Sequence, residues 1–262
     1  MKQVVASCMP DSLGHVVLRS SAFRHIALVL RKKEGDSLNI RVPSGALFNA
    51  KIVKIEKNSI ICKMTELIQE EKSDDVLFIL LQWELKGAKM DTVIRQATEL
   101  GATHIMPILG DYSIPHIKNE KEVLRREKII CAAREQSGSC VKTKIFASQK
   151  LKDCLASLEA LLVGKKTCKL MAYEKYKRNR IFNVVSGVEN ALVFAIGAEG
   201  GISDAECCVL EENGFSTVHF DTNILRAETA AVYAFASIRE IFFYKKEEAQ
   251  NNKEHDLCNV NV

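Results

Sequence analysis

Ala191–Glu206, ALVFAIGAEGGISDAE, and Asn223–Phe235, NILRAETAAVYAF, are the stretches whose reading decides the fold. In the first, Leu192–Ile196 is an uncharged apolar run, the pattern of a strand covered on both faces. It enters Gly197-Ala198-Glu199-Gly200-Gly201, where glycines let backbone approach a ligand closely. Ser203-x-x-Glu206 has the spacing of a capping box and predicts the start of a helix. Strand, glycine turn and capped helix together describe an α/β ligand site at the carboxyl end of a strand. The second stretch passes from Ile224-Leu225-Arg226 through Glu228 into Ala227, Ala230, Ala231, Ala234 and Ala236, small side chains that let a helix pack closely. Neither stretch carries a dinucleotide fingerprint or a nucleotide phosphate loop.

The same alternation extends on either side. Strands are predicted at Val76–Gln82, His104–Leu109, Lys142–Ala147, Leu170–Tyr173 and Thr217–Phe220. Helices are predicted at about Met90–Leu100, Glu120–Gln136, Leu151–Leu162, Ser203–Asn213 and Leu225–Tyr244, with Gly101 closing the first. Strands alternating with helices imply a parallel sheet covered on both faces. Residues 245–262, KKEEAQNNKEHDLCNVNV, are charged and read as a disordered tail.

Residues 1–70 read differently. Ser21–Arg31 predicts a short amphipathic helix, and Glu34-Gly35-Asp36 a turn. Ser37–Val42, Leu47–Glu56 and Ser59–Thr65 alternate as short strands at close spacing, a small antiparallel barrel. Gln69–Asp75 is polar and reads as the linker.

Composition narrows the function. Hydrophobic content of 47% and charged content of 27% fit a globular protein with a sizeable core. There is no apolar run long enough to span a membrane, and the N-terminus lacks a secretory pattern. Nine cysteines without a C-x-x-C, two of them adjacent at Cys207-Cys208, read as reduced thiols rather than a disulfide framework. The six histidines do not cluster with them, so no metal site is expected. Net charge is +4, and residues 1–72 hold twelve Lys/Arg against seven Asp/Glu, or +5, leaving −1 for the rest. A small basic module joined to a near-neutral larger one suits a nucleic-acid enzyme, although a solvated basic surface has the same composition.

GAEGGISDAE followed by ILRAETA resembles the cofactor motifs of the SPOUT methyltransferases, and within them the bacterial small-subunit ribosomal RNA methyltransferase E family. Four further segments resemble that family in order: His25–Arg31 with Gly35-Asp36; Lys86-Gly87 with Gln96–Gly101; Glu135-Gln136-Ser137; and Met171-Ala172-Tyr173-Glu174. The chain departs from the family pattern at Ala198 (usually proline), Arg126 (usually tryptophan), Ser139 (an arginine nearby) and Phe220-Asp221 (usually Leu-Gly).

The resemblance implies a PUA-like RNA-binding barrel over residues 1–70, and over residues 71–244 a methyltransferase domain whose parallel sheet carries a trefoil knot. It implies S-adenosylmethionine as cofactor, methylation of uridine N3 in small-subunit (16S) ribosomal RNA, free or in the assembled subunit, a cytoplasmic location, and a homodimer through the C-terminal domain. Met171, Tyr173, Ile196, Gly197, Gly200, Gly201, Phe220, Asp221, Ile224, Leu225 and Ala230 are then the cofactor residues. The N3 proton must leave, so a cation or base is needed. Arg226 is the first choice of cation, and Glu199 and Glu228 are bases or orienting groups. A loop salt bridge or a helix cap would explain the same three residues. Arg24, Arg31 and Lys33 are assigned to RNA backbone. Two alternatives remain: a ribosome-assembly protein with a degenerate methyltransferase fold, and a SPOUT enzyme acting on another RNA such as transfer RNA.

Overall fold

The computed structural model describes residues 2–70, 76–113, 120–173 and 179–259, in two compact units: residues 1–74 with 130–142, and residues 75–129 with 143–262.

The first unit opens with β1 (Val4–Val5) and β2 (His15–Arg19). Helix α1 (Ser20–Phe23) follows and passes into a π-helical turn, Arg24–Val29. Helix was expected over this span, but not its wider winding, which is uncommon and frequent at functional sites. Strands β3 (Ser37–Arg41), β4 (Leu47–Ile55) and β5 (Ser59–Gln69) complete a five-stranded sheet in the order β1-β3-β4-β5-β2. All its pairings are antiparallel except β1 with β3. Ile26, Ile40, Ala50, Ile52, Ile60 and Cys62, all essentially buried, form its core. Arg41 is 1% exposed and fully engaged, donating to Gln3 Oε1 (2.8 Å), the Gly45 carbonyl (2.6 Å) and Gln69 Oε1 (3.0 Å). Most of the expected linker, residues 71–75, lies outside the described residues.

The second unit follows the predicted alternation: β6 (Leu77–Trp83), α2 (Lys89–Glu99), β7 (His104–Leu109) and α3 (Glu120–Ser137), whose last turns belong to the first unit. Then come β8 (Lys144–Ile145), β9 (Gln149–Lys150), α4 (Leu151–Leu162), β10 (Thr167–Ala172) and a short α5 (Ile181–Val184). Strand β11 (Ala191–Ile196), α6 (Asp204–Glu212), β12 (Ser216–Val218) and α7 (Ala227–Asn259) close the unit. The strands are all parallel, in the order β12-β10-β11-β6-β7-β8, with β9 also on β7. Every residue of β11 is buried, as its uncharged run requires. Helix α7 lays Phe235 and Phe242 edge-on against Phe78 of β6, at 6.2 and 5.6 Å between ring centres.

Helix α7 runs on to Asn259, through residues expected to form a disordered tail. The charge of KKEEAQNNKEHDL argues for solvent exposure, yet Lys, Glu, Ala and Gln are good helix formers. A helix already nucleated by packing on the sheet propagates through them at little cost.

Candidate active site

A cavity of about 540 Å³ opens at the carboxyl ends of β10, β11 and β12, the position that parallel sheets offer to ligands. Its walls are Ala172 and Tyr173 after β10, Ile196–Glu199 and Gly201 after β11, Val218–Phe220 and Thr222–Arg226 after β12, Ala227 and Ala230 of α7, and Lys89 at the start of α2. The two stretches that decided the fold therefore face one another across one space.

The first wall is shaped by the glycine turn and its cap. The Gly201 amide donates to the Ala198 carbonyl at 2.9 Å, and Gly201 takes φ +79°, a left-handed conformation suited to glycine. A Cβ on Gly197 would lie 2.4 Å from the Gly201 carbonyl carbon, so this position admits no side chain. The predicted capping box is formed: Glu206 N donates to Ser203 Oγ (3.2 Å) and Ser203 N to Glu206 Oε2 (3.0 Å). The other oxygen of Glu206, a residue 6% exposed, accepts from Trp83 Nε1 (2.9 Å) and Asp111 N (3.1 Å), which fixes α6 to the ends of β6 and β7.

Of the expected cofactor residues, Tyr173, Ile196, Gly197, Gly201, Phe220, Ile224, Leu225 and Ala230 line the cavity. Met171, Gly200 and Asp221 are not among its lining residues. Met171 is wholly buried within β10. Gly200 turns its Cβ direction towards Tyr112, 3.1 Å from that Cβ, so a branched side chain there meets Tyr112 first. Asp221 is engaged by Arg180 (2.5 Å) and His219 (3.3 Å). Glu174, at the end of the Met171–Glu174 segment, lies outside the described residues. Ala198, within the predicted turn, and residues the sequence did not single out, among them His219 and Lys89, complete the walls.

Arg226 and Glu199 line the cavity, and Glu228 lies in the first turn of α7. The three differ in their surroundings. Lys89 Nζ lies 2.9 Å from Glu199 Oε1 and 3.8 Å from Glu228 Oε2. Burial pushes the Glu199 carboxyl up, but the Lys89 ammonium and the amides of Glu199 and Lys86 outweigh it and hold the group below its ordinary 4.5. Arg226 is exposed, and no carboxylate lies within ion-pair distance of it among the described residues. Its carbonyl accepts from Ala230 N at 2.8 Å, so the residue stands at the head of α7.

Arg24, Arg31 and Lys33 belong to the first unit and are exposed, with Arg31 at φ +53°. In that same unit Glu135 accepts from Val5 N at 3.1 Å. Among the described residues no group of three or more His, Cys, Asp or Glu could hold a metal ion. Nor is any helix long and apolar enough to cross a membrane. Burial pushes the Cys154 and Cys168 thiols up to about 12, which makes them core residues rather than nucleophiles.

Comparison with known proteins gives concordant matches. A model of the RNA methyltransferase domain matches residues 72–239, and one of the RNA methyltransferase PUA domain matches residues 18–65. Ribosomal RNA small subunit methyltransferase E 2 of Borreliella burgdorferi is 30% identical over 248 residues, covering 92% of this chain and 98% of its own. Ribosomal RNA small subunit methyltransferase E of Bacillus subtilis is 24% identical, covering 82% and 85%. Among solved structures, a ribosomal RNA small subunit methyltransferase E from Neisseria gonorrhoeae bound to S-adenosyl methionine superposes with a TM-score of 0.79. It covers 92% of this chain and 98% of its own, at 24% identity, a likeness of fold.

Proposed function

This chain belongs to the RNA methyltransferase family, with its PUA module, and from that premise we propose that it transfers a methyl group from S-adenosylmethionine to N3 of a uridine in small-subunit ribosomal RNA. One observation carries the reading: the glycine turn after β11 and the ILRAETA loop before α7 wall a single cavity of about 540 Å³, with Arg226, which has no carboxylate partner among the described residues, at its edge. The volume lies within the range of small-molecule sites, roughly 300–1,000 Å³. Small side chains at Ala172, Ala198, Ala227 and Ala230 leave that space clear, so the residues present fit the cofactor.

When bound, S-adenosylmethionine supplies an electrophilic methyl group. The chain's own residues do the rest. Backbone of the Gly197–Gly201 turn and of the Phe220–Leu225 loop offers amides and carbonyls to a polar ligand, and Phe220 offers a ring face held by Phe194 (6.3 Å) and Tyr233 (5.0 Å). N3 gives up its proton to solvent before accepting the methyl group, which leaves negative charge shared with the carbonyl oxygens, and Arg226, on the cavity wall, is the cation assigned to stabilise it. Glu199 is held ionised on the cavity wall by its pair with Lys89. Arg24, Arg31 and Lys33 are assigned to RNA phosphates, and the trefoil crossing and a cytoplasmic setting among ribosomes belong to the same reading. So does a homodimer through the C-terminal domain. It is supported by apolar residues in solvent on the cavity loop and final helix, Ile224 at 87% and Tyr233 at 43% exposed.

The test is single-turnover methylation of small subunits lacking the modification, with the methylated position identified by mass. Calorimetry with S-adenosylmethionine accompanies it. Tight binding and a product at uridine N3 are expected. A folded protein that binds no S-adenosylmethionine would refute the reading.

A further inference from the structure

Lys89 is the first residue of α2, contributed to the cavity by an element outside both of the stretches that form its other walls. Its ammonium lies between two carboxylates: Glu199, on the turn after β11, at 2.9 Å, and Glu228, on the first turn of α7, at 3.8 Å. Glu228 Oε2 is shielded from solvent and has no hydrogen-bond partner of its own, so its charge is balanced by Lys89 across that gap. Glu199 and Arg226 line the same cavity, yet they are not paired.

We infer that Lys89 is a positioning residue: by occupying both Glu199 and Glu228 it prevents either carboxylate from capturing Arg226, and so keeps that guanidinium available to the RNA base. This rests on the role proposed above for Arg226. A guanidinium is the better partner for a carboxylate, because its planar fork matches the two oxygens. Glu199, on the same cavity wall, and Glu228, two residues on in the chain, would therefore compete for Arg226, which has no carboxylate partner among the described residues, unless another cation held them. Lys89 is that cation, and it stands on α2, outside both the glycine turn and the cavity loop. The consequence is specific. Losing Lys89 should slow methyl transfer through Arg226, and removing the competing carboxylate as well should restore part of the rate.

The experiment compares single-turnover rates at saturating cofactor and RNA for the full-length wild type, K89M, K89R, K89M/E199Q and R226A, with thermal melts for each. K89M is expected to be roughly five-fold slower, the equilibrium equivalent of one partly exposed ion pair. K89R should stay close to wild type, and K89M/E199Q should run faster than K89M. A residue that merely supported the fold would not be rescued by neutralising its partner. If K89M does not fold, K89Q makes the same comparison. Wild-type rate in K89M, or a double variant no faster than K89M, overturns the inference while leaving the Arg226 reading intact if R226A is slow. A normal rate in R226A defeats that reading, and this inference with it.

Discussion

Substituting alanine for Gly197 adds one methyl group at the tightest point of the cofactor turn. Its Cβ would lie 2.4 Å from the carbonyl carbon of Gly201, 2.7 Å from that residue's oxygen and 2.7 Å from the amide nitrogen of Ile202. All three are backbone atoms, so no rotamer change relieves the contact. The turn closed by Gly201 N and Ala198 O must itself open. Overpacking of this kind costs about 1–3 kcal/mol. At about 2–4 °C per kcal/mol for a domain of this size, the melting temperature should fall by roughly 4–8 °C for a cost near the middle of that range. Ala198, Glu199 and Gly201 all line the cavity, so cofactor affinity should fall together with stability. The control is Gly200→Ala. Its Cβ would lie 3.1 Å from Tyr112 Cβ, a milder contact than those at Gly197, so both losses should be smaller. Scanning fluorimetry with and without S-adenosylmethionine, followed by calorimetry, reads both quantities. A Gly197→Ala protein with wild-type melting temperature and affinity would refute the reasoning.

Five further outcomes are expected. Arg226→Ala should lower the single-turnover rate by about a hundred- to a thousandfold, as loss of an oxyanion donor does. Arg226→Lys should be clearly impaired for want of the planar fork, with melts unchanged in both. Arg126, 2% exposed, grips Glu84 at 2.8 and 2.9 Å, so Arg126→Met should cost about 3–5 kcal/mol in denaturant titrations, and adding Glu84→Gln should recover part of it. His104 is pushed down to about 4, first by burial and then by Lys144, so it is neutral in the fold. Below about 6.5 the unfolded chain binds a proton that the folded chain refuses. Stability should therefore fall as pH drops from there to about 4, by up to about 3 kcal/mol, and His104→Asn should flatten that slope. Light scattering should show a dimer at working concentration, and a monomer there would remove the homodimer.

What could be read from the sequence was local. Strand β7, helix α4 and the Ser203–Glu206 cap lie where spacing and apolar runs put them, because each is specified by neighbours within a few residues. Strands β1 and β2 escaped notice: Val4-Val5 is two residues long, and His15–Arg19 is held as a strand by β5, more than forty residues away. Winding in the Arg24–Val29 turn is equally invisible, since one apolar spacing serves α- and π-helix alike over so short a span. At the candidate site, the turn singled out in the sequence lines the cavity, but its glycines were treated as equivalent. Contact with Gly201 distinguishes Gly197, and φ +79° distinguishes Gly201. Lys89 was overlooked for a different reason. Its partner Glu199 is 110 residues further on, and nothing in the spacing of either residue announces the pair.

The departures from the family pattern are accommodated locally, and this bears on whether the site is degenerate. Asp221, a carboxylate where glycine is usual, is engaged by Arg180 at 2.5 Å and His219 at 3.3 Å. An exposed pair of this kind contributes little stability, but it occupies the carboxylate with neighbours other than Arg226. Arg126, where tryptophan is usual, replaces an apolar contact with a bidentate pair to Glu84, closed by Ser148 and Glu122. The Ser139 carbonyl accepts from Gln3 Nε2 at 3.0 Å. Ala198, without the rigidity of proline, is held by the Gly201 amide. A degenerating site would be expected to accumulate unpaired charge and blocked space, because nothing would select against either. Here each changed residue has a partner, the cavity is open, and among the described residues the cation on its wall without a carboxylate partner is Arg226, the group the proposed reaction requires.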